Sequence, residues 1–276
     1  MLVFPNCKIN LGLHITGKRD DGYHNLETVF LPVPWQDALE VIAAPGAAAN
    51  IEFTSTGLPV SGNIPDNLCV KAYQLLKRDF PLLPPVKMHL HKAIPMGAGL
   101  GGGSADAAFT LLLLNQKFRL GITTDGLIKY SLQLGSDCPF FIVNRPCFAE
   151  GRGEILSPLI LPLTGFIILL VNPGIHVPTG WAFSQITPAT PVTSLKQVIK
   201  QPVDTWKNEL VNDFELPVLK AYPQLQTLKA QLYNAGAVYA GMSGSGSTFF
   251  GIFNPGTVMP VINFYPAYLV KQFVLP

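Results

Sequence analysis

Charge is scarce in this chain. Only 13% of its 276 residues are Asp, Glu, Lys or Arg, while 48% are hydrophobic. Such a composition can fill a sizeable core and excludes a disordered or fibrous protein. The formal net charge is +2 and no run of Lys or Arg occurs, so neither nucleic acid nor an anionic membrane surface is an expected partner. Cysteine is rare too. Cys7, Cys69, Cys138 and Cys147 show no C-x-x-C spacing and no disulfide-dense pattern, which reads as reduced thiols in a cytoplasmic protein. Long apolar runs are missing. The stretch Leu159–Val171 is interrupted by Pro162, Thr164 and Gly165 and falls short of the roughly 20 residues a membrane span needs. Met1–Phe4 is apolar but stops at Pro5, with Lys8 close behind, so no secretory signal is expected. No internal repeat is visible, and the length fits one large or two small domains.

What the chain has is glycine in the right places. Pro95 to Ala108 reads P-M-G-A-G-L-G-G-G-S-A-D-A-A, with five glycines among the seven positions from Gly97 to Gly103. Glycine takes φ > 0 without penalty and lets another group approach the backbone closely. Ser104 opens a stretch of helix formers, so the loop feeds a helix N-terminus with unpaired N–H groups and a positive dipole end. That is an anion site, most often for phosphate. A plain turn with a Ser N-cap would need one or two glycines, not five. The Walker A pattern fails because Gly103 stands where Lys is required. The dinucleotide fingerprint G-x-G-x-x-G is met by Gly97, Gly99 and Gly102, after an alternating strand around Val86, Met88 and Leu90. No second strand ending in an acidic residue about 20 positions on follows, which counts against that reading. A second cluster, Gly241-Met-Ser-Gly244-Ser245-Gly-Ser247, lies between two strand-like segments and suits a turn that faces an anion or substrate.

The pattern of the remaining chain predicts mixed elements. Residues 3–15 alternate, with Cys7, Ile9, Leu11, Leu13 and Ile15 on an apolar face and Lys8, Asn10, Gly12 and His14 on a polar one. Asp20-Asp21-Gly22 signals a turn, and Leu26–Val33 a returning strand. Helices are expected over 67–80, from Ser104 to about Lys117 and over 124–134, the last closed by Gly135. Strands are expected at 50–54, 86–93 and 166–171, and residues 185–207 read as a surface excursion. The lack of steady βαβ alternation favours α+β.

The loop Pro95–Ala108 resembles the central phosphate-binding motif of the GHMP kinases. Gly241–Gly251 resembles their third motif and Pro5–Leu11 their first. Within the family the resemblance narrows to the members that phosphorylate a cytidine diphosphate conjugate of methylerythritol. It does so on Lys8-Ile-Asn10-Leu, Asp21-Gly-Tyr23-His24, Gly135-Ser-Asp137-Cys-Pro-Phe-Phe and Asn212-Asp-Phe-Glu215. These blocks spread over nearly the whole chain. The resemblance implies two lobes: an N-terminal ATP-binding lobe like ribosomal protein S5 domain 2, over 1–157, and a ferredoxin-like α/β lobe, over 158–276. It places the active site in the cleft between them. Another GHMP kinase, of homoserine or mevalonate type, and a non-catalytic sensor on the same fold are the alternatives. Tyr23-His24 and Gly-Ser-Asp137 argue against the first, and the presence of Lys8 and Asp137 against the second.

The same resemblance assigns roles. Asp137 would be the base and Lys8 its partner, holding it ionised. Without the family, Asp137 reads equally as an Asx-turn residue, and Lys8 as a solvated cation on a strand. Pro95, Gly97, Gly99, Leu100, Gly101, Gly102, Gly103 and Ser104 would cradle the ATP phosphates, and Asn67 and Lys92 would serve the adenine side. Tyr23, His24 and Phe183 would read the cytosine by stacking and edge contacts. Asn10, Thr179, Gly244 and Ser245 would hold the rest of the acceptor. Asp106 reads as a helix-start residue. ATP with Mg²⁺ is the expected cofactor, with no metal ligand identified. His89-x-His91 could form a zinc pair or be surface histidines. A monomer or weak homodimer is expected.

Overall fold

A computed structural model describes all residues, 1–276. In chain order the strands are β1 (Leu2–Val3), β2 (Asn6–Lys18), β3 (His24–Gln36), β4 (Ala38–Ala43), β5 (Ile51–Gly57), β6 (Val86–Lys92), β7 (Cys147–Glu150), β8 (Ile155–Pro158), β9 (Ile167–Asn172), β10 (Tyr239–Met242), β11 (Phe249–Phe253) and β12 (Leu269–Val274). The helices are α1 (Leu68–Asp79), α2 (Gly102–Phe118), α3 (Thr124–Leu132), α4 (Cys138–Val143), α5 (Thr179–Ser184), α6 (Leu195–Val198), α7 (Trp206–Glu209), α8 (Glu215–Ala221) and α9 (Gln224–Asn234). None of them is long and apolar enough to cross a membrane. The chain divides into two compact units, and each is built from non-contiguous segments.

The first unit comprises Met1–Cys7, Pro34–Met96 and Gly101–Asn144. Its sheet runs β1-β4-β6-β5, with β5 parallel to β6 and the other pairs antiparallel. A parallel pair needs a crossover, and α1 supplies it. Asn67 caps α1 by accepting from the Cys69 N–H at 2.9 Å. Leu39, Val41, Tyr73, Leu76, Met88, Leu90, Leu111 and Leu114 form the core under α1 and α2. Helix α2 is largely apolar and mostly buried, with Gln116 its one exposed residue. It starts at Gly102, two residues before the Ser104 start that helix propensity suggests, because Gly101 at φ 69° acts as N-cap. Gly135 does not close α3 in the left-handed region. The helix ends at Leu132 with Gln133 as its cap, and the Gly135 N–H returns to the Ser131 carbonyl at 3.2 Å.

The second unit comprises Lys8–Val33, Gly97–Leu100 and Arg145–Pro276. It holds a sheet of order β2-β3-β7-β8 and an antiparallel sheet of order β10-β11-β9-β12. Its core gathers Leu13, Ile15, Leu169, Val171, Phe214, Leu228, Phe249 and Phe253. The two-faced reading of residues 3–15 needs correction. Lys8 and Asn10 are as buried as the apolar residues between them, at 4% and 2% exposed. Residues 185–207 are a surface excursion only in their first part, since 185–193 are exposed or half-buried, and the rest is not. Leu195, Val198, Ile199, Val203 and Trp206 are buried, and Glu27 on β3 caps α6 by accepting from Ser194 Oγ at 2.9 Å and the Leu195 N–H at 2.8 Å.

Candidate active site

The glycine-rich loop is built by strand β6, a run of left-handed glycines and helix α2. Gly97, Gly99 and Gly101 have φ of 63°, 78° and 69°, a region that side chains with a Cβ rarely enter. The first intrahelical bond joins the Ala105 N–H to the Gly101 carbonyl at 2.9 Å. The amides of Gly102, Gly103 and Ser104 precede that bond and have no partner within the helix. Glycines here serve two ends. A Cβ at Gly99 would lie 2.0 Å from the Ser243 carbonyl oxygen, so that position is set by packing. A Cβ at Gly103 would meet nothing nearer than 3.9 Å, so that face is open to an approaching group. Free amides, a dipole end and an open backbone suit a polyphosphate.

The second unit surrounds the loop tip with polar groups. The Lys8 N–H donates to the Leu100 carbonyl at 3.0 Å. Ser243 Oγ donates to the Gly99 carbonyl at 2.8 Å and accepts from the Asn10 N–H at 3.2 Å. Lys8 Nζ donates to Asn10 Oδ1 at 2.7 Å and lies 5.0 Å from the Phe30 ring centroid. Asn10 Nδ2 in turn donates to Thr28 Oγ1 at 2.9 Å. Residues of the first, central and third motifs thus meet around Gly99. Gly244 lies beside Gly99, and its carbonyl accepts from Asn212 Nδ2 at 2.8 Å.

In the first unit a cavity is lined by Asn67, Leu68, Leu90, Lys92, Met96, Gly103 and Asp106. It brings Asn67 and Lys92 beside the open face of Gly103. The Lys92 ammonium does not project freely there. It is buried between Asp37 Oδ2 at 2.5 Å and Asp106 Oδ2 at 2.7 Å. Burial works to lower its pKa, but the two carboxylates more than offset this and raise it. Asp106 is not a helix-start residue. It is buried in α2, and burial pushes its carboxyl up to about 7, with Lys92 opposing and Asp37 adding to the shift. A carboxyl raised above its unfolded value favours the folded state most at low pH and loses that contribution as pH rises through its folded value. The melting temperature of the native chain relative to Asp106→Asn should therefore fall between about pH 4 and pH 7 and level off above. Parallel thermal melts test this, and a constant difference would refute it.

Asp137 stands at the N-terminus of α4, half-buried, with Pro139 fixing the next turn. At the other end of the predicted set, His24 and Phe183 come together as stacked rings, with centroids 4.8 Å apart and planes at 20°. Phe183 also meets Phe214 edge-on. His24 and Phe183 both belong to the second unit. Tyr23 is 52% exposed, with the Arg152 guanidinium 4.6 Å from its ring centroid. Thr179 and Ser245 face each other through their hydroxyls at 3.2 Å. His89 and His91 hydrogen-bond to Thr54 and Thr56 on the parallel strand β5, and no cluster of three or more His, Cys, Asp or Glu side chains that could hold a metal is present.

Two residue groups escaped the sequence reading as parts of this framework. Asp37 follows β3 in an unremarkable context and gives no motif signal. Asn212 and Asp213 lie in a motif that carried the resemblance, but their work was not assigned. Asn212 Nδ2 also donates to the Met242 carbonyl at 2.8 Å, and Asp213 Oδ2 accepts from the Ile15 N–H at 2.8 Å. They fasten the third glycine motif and strand β2.

Comparison with known proteins agrees with this geometry. The chain matches the family models described as GHMP kinases N terminal domain, over residues 67–145, and GHMP kinases C terminal, over residues 194–271. It is 52% identical to 4-diphosphocytidyl-2-C-methyl-D-erythritol kinase of Bacteroides fragilis, with 97% of each chain covered. It is 53% identical to the enzyme of the same name from Bacteroides thetaiotaomicron, with 94% of each covered. The crystal structure of a 4-(cytidine 5'-diphospho)-2C-methyl-D-erythritol kinase superposes with a TM-score of 0.80 at 32% identity, covering 92% of this chain and 91% of that one. A homoserine kinase from Cytophaga hutchinsonii shares the fold at a TM-score of 0.67 and 14% identity, covering 93% of this chain and 85% of its own. With both halves of the family matched and relatives above 50% identity along almost the full length, the chain belongs to the GHMP kinase family.

Proposed function

We propose that this chain transfers the γ-phosphoryl group of ATP to the 2-hydroxyl of 4-diphosphocytidyl-2-C-methyl-D-erythritol. The products are the 2-phosphate and ADP, a step of isopentenyl diphosphate biosynthesis by the non-mevalonate pathway. The observation that carries this reading is the identity of 52% and 53% to kinases of that name across nearly the whole of both chains. The domains are taken as 1–157 and 158–276, and the matched segments 67–145 and 194–271 fall one in each. All four cysteines are buried, which suits a cytoplasmic enzyme.

Phosphoryl transfer requires a cradle for the phosphates, neutralisation of charge and an oriented acceptor. The Gly97–Ser104 loop is the cradle in this reading, with the open amides of Gly102 and Gly103 toward the phosphate oxygens. Asn67 and the backbone at Lys92 border the adenine. Mg²⁺ fits as the counter-ion of the nucleotide, since a Mg²⁺ on phosphates needs only one or two protein carboxylates, and when bound it spreads the charge of the transferring group. Asp137 takes the proton of the acceptor hydroxyl, and Lys8 is the cation that offsets charge on the transferring group. Asn10 orients the acceptor, and Gly244, Ser245 and Thr179 border it. Tyr23, exposed beside the His24–Phe183 stack, offers a ring face to the cytosine. Stacking on a base is worth about 1–3 kcal/mol. Tyr23→Ala should therefore raise the acceptor KM by roughly tenfold or more and leave that of ATP within twofold. Equal changes in both would refute the assignment.

The decisive assay is ADP release from Mg·ATP with the cytidine conjugate, run beside homoserine, mevalonate and galactose. Turnover with the conjugate alone is expected. Turnover with one of the others would keep the phosphate loop and discard the acceptor. No turnover with any would favour a non-catalytic sensor.

A further inference from the structure

Asp37 carries no motif signal, yet its side chain is fully buried and makes three contacts at the entry of the phosphate loop. Its Oδ1 accepts the N–H of Ala93 at 2.6 Å and of Ile94 at 2.8 Å. Its Oδ2 accepts Lys92 Nζ at 2.5 Å. The Asp37 N–H is itself held by the Pro5 carbonyl at 2.9 Å. Lys92 Nζ also donates to Asp106 Oδ2 at 2.7 Å, and Asp106 lies one turn inside α2, where the loop exits. The residues just before and just after the glycine run are therefore tied to one buried ammonium, and the entry is tied a second time through two amides.

We propose that Asp37 is a positioning residue for the phosphate loop, acting through Lys92 and through the amides of Ala93 and Ile94. The proposal rests on the reading above that this loop receives the phosphates of ATP. Glycine supplies the loop with conformational freedom, which by itself would leave its amides undirected. Fixing both ends selects the conformation in which those amides converge, before any nucleotide arrives.

The hydrogen-bond pattern distinguishes Asp37 from Asp106. Both oxygens of Asp37 face N–H donors, so only a carboxylate serves. An Asn there must turn its NH₂ either onto the Lys92 ammonium or onto the two amides, and each orientation sets donor against donor. Asp106 uses one oxygen only, and its Oδ1 has no hydrogen-bond partner. An Asn at 106 can keep the one acceptor that Lys92 needs.

The test is steady-state kinetics of the full-length wild type, Asp37→Asn and Asp106→Asn, with Mg·ATP and the cytidine conjugate varied in turn, beside thermal melts of each. Asp37→Asn should raise the KM for ATP at least tenfold and leave the acceptor KM within twofold. Asp106→Asn should raise the KM for ATP no more than about threefold. Equal effects of the two variants, a parallel rise in both KM values, or no change in Asp37→Asn would overturn the proposal. A wild type that shows no saturable use of ATP would instead overturn the functional reading on which it rests. Should Asp37→Asn fail to fold, amide exchange in the nucleotide-free wild type decides. Strong protection of the Ala93 and Ile94 amides supports the clamp, and exchange at open-loop rates overturns it.

Discussion

Asp137→Asn should lower kcat by about 10³-fold while leaving the affinity for ATP within twofold, in line with the loss of a general base. Asn keeps the shape and the capacity to accept a hydrogen bond, so the start of α4, fixed by Pro139 and packed through buried Phe140 and Phe141, has no reason to move. What Asn cannot do is take up the proton of the acceptor hydroxyl. The phosphate cradle is a separate set of backbone groups on the Gly97–Ser104 loop, so nucleotide binding should survive. Rates from ADP release and affinities from equilibrium titration with a non-hydrolysable ATP analogue provide the two numbers. Turnover near the wild-type rate would remove Asp137 from the chemistry. A large loss of nucleotide affinity would make it a structural residue instead.

Gly99→Ala should be nearly as damaging, for a reason that involves no proton. Gly99 has φ 78°, and a Cβ there would lie 2.0 Å from the Ser243 carbonyl oxygen and 2.9 Å from its carbon. The left-handed backbone alone costs an L-residue about 1–2 kcal/mol, and the overlap with main chain cannot be relieved by turning a side chain. The loop tip must withdraw from Ser243. The bonds from Ser243 Oγ to the Gly99 carbonyl at 2.8 Å and from the Thr248 N–H to the Ala98 carbonyl at 3.3 Å are then strained or lost. A displacement of about 1 Å in a positioning group can cost 10²-fold, so kcat/KM for ATP should fall by about that factor or more, with a lower melting temperature. Gly103→Ala is the contrast. It sits in the helix with open space around its Cβ, so its melting temperature should stay level or rise. Equal thermal behaviour of the two variants would mean that the Gly99–Ser243 approach does not fix the loop.

The sequence by itself determined the glycine-rich loop and the helix that follows it, the α+β class and the family. These are local properties. A run of glycines after an alternating strand and before a row of helix formers has few other uses, and strand β6, the loop and α2 follow within one continuous segment. The helix expected over 67–80, found at Leu68–Asp79, and the turn at Asp20-Asp21-Gly22 were legible for the same reason, because each needs only neighbours in the chain. Tertiary structure alone decided where the polar side chains went. Lys8 and Asn10 alternate with apolar residues as solvated residues would, but Lys8 Nζ donates to Asn10 Oδ1 and to the Gly99 carbonyl, and Asn10 Nδ2 donates to Thr28 Oγ1, which allows both side chains to be buried. Lys92 looked like a ligand contact, and its ammonium is instead taken by Asp37, 55 residues away, and by Asp106. Residues 185–207 looked like a polar excursion, which holds for 185–193, whereas the Glu27 cap on α6 with buried Leu195 and Trp206 makes the later part belong to the fold. A charged or polar group tolerates burial only when partners satisfy it. Those partners lie far off in sequence, and only the folded chain brings them within reach.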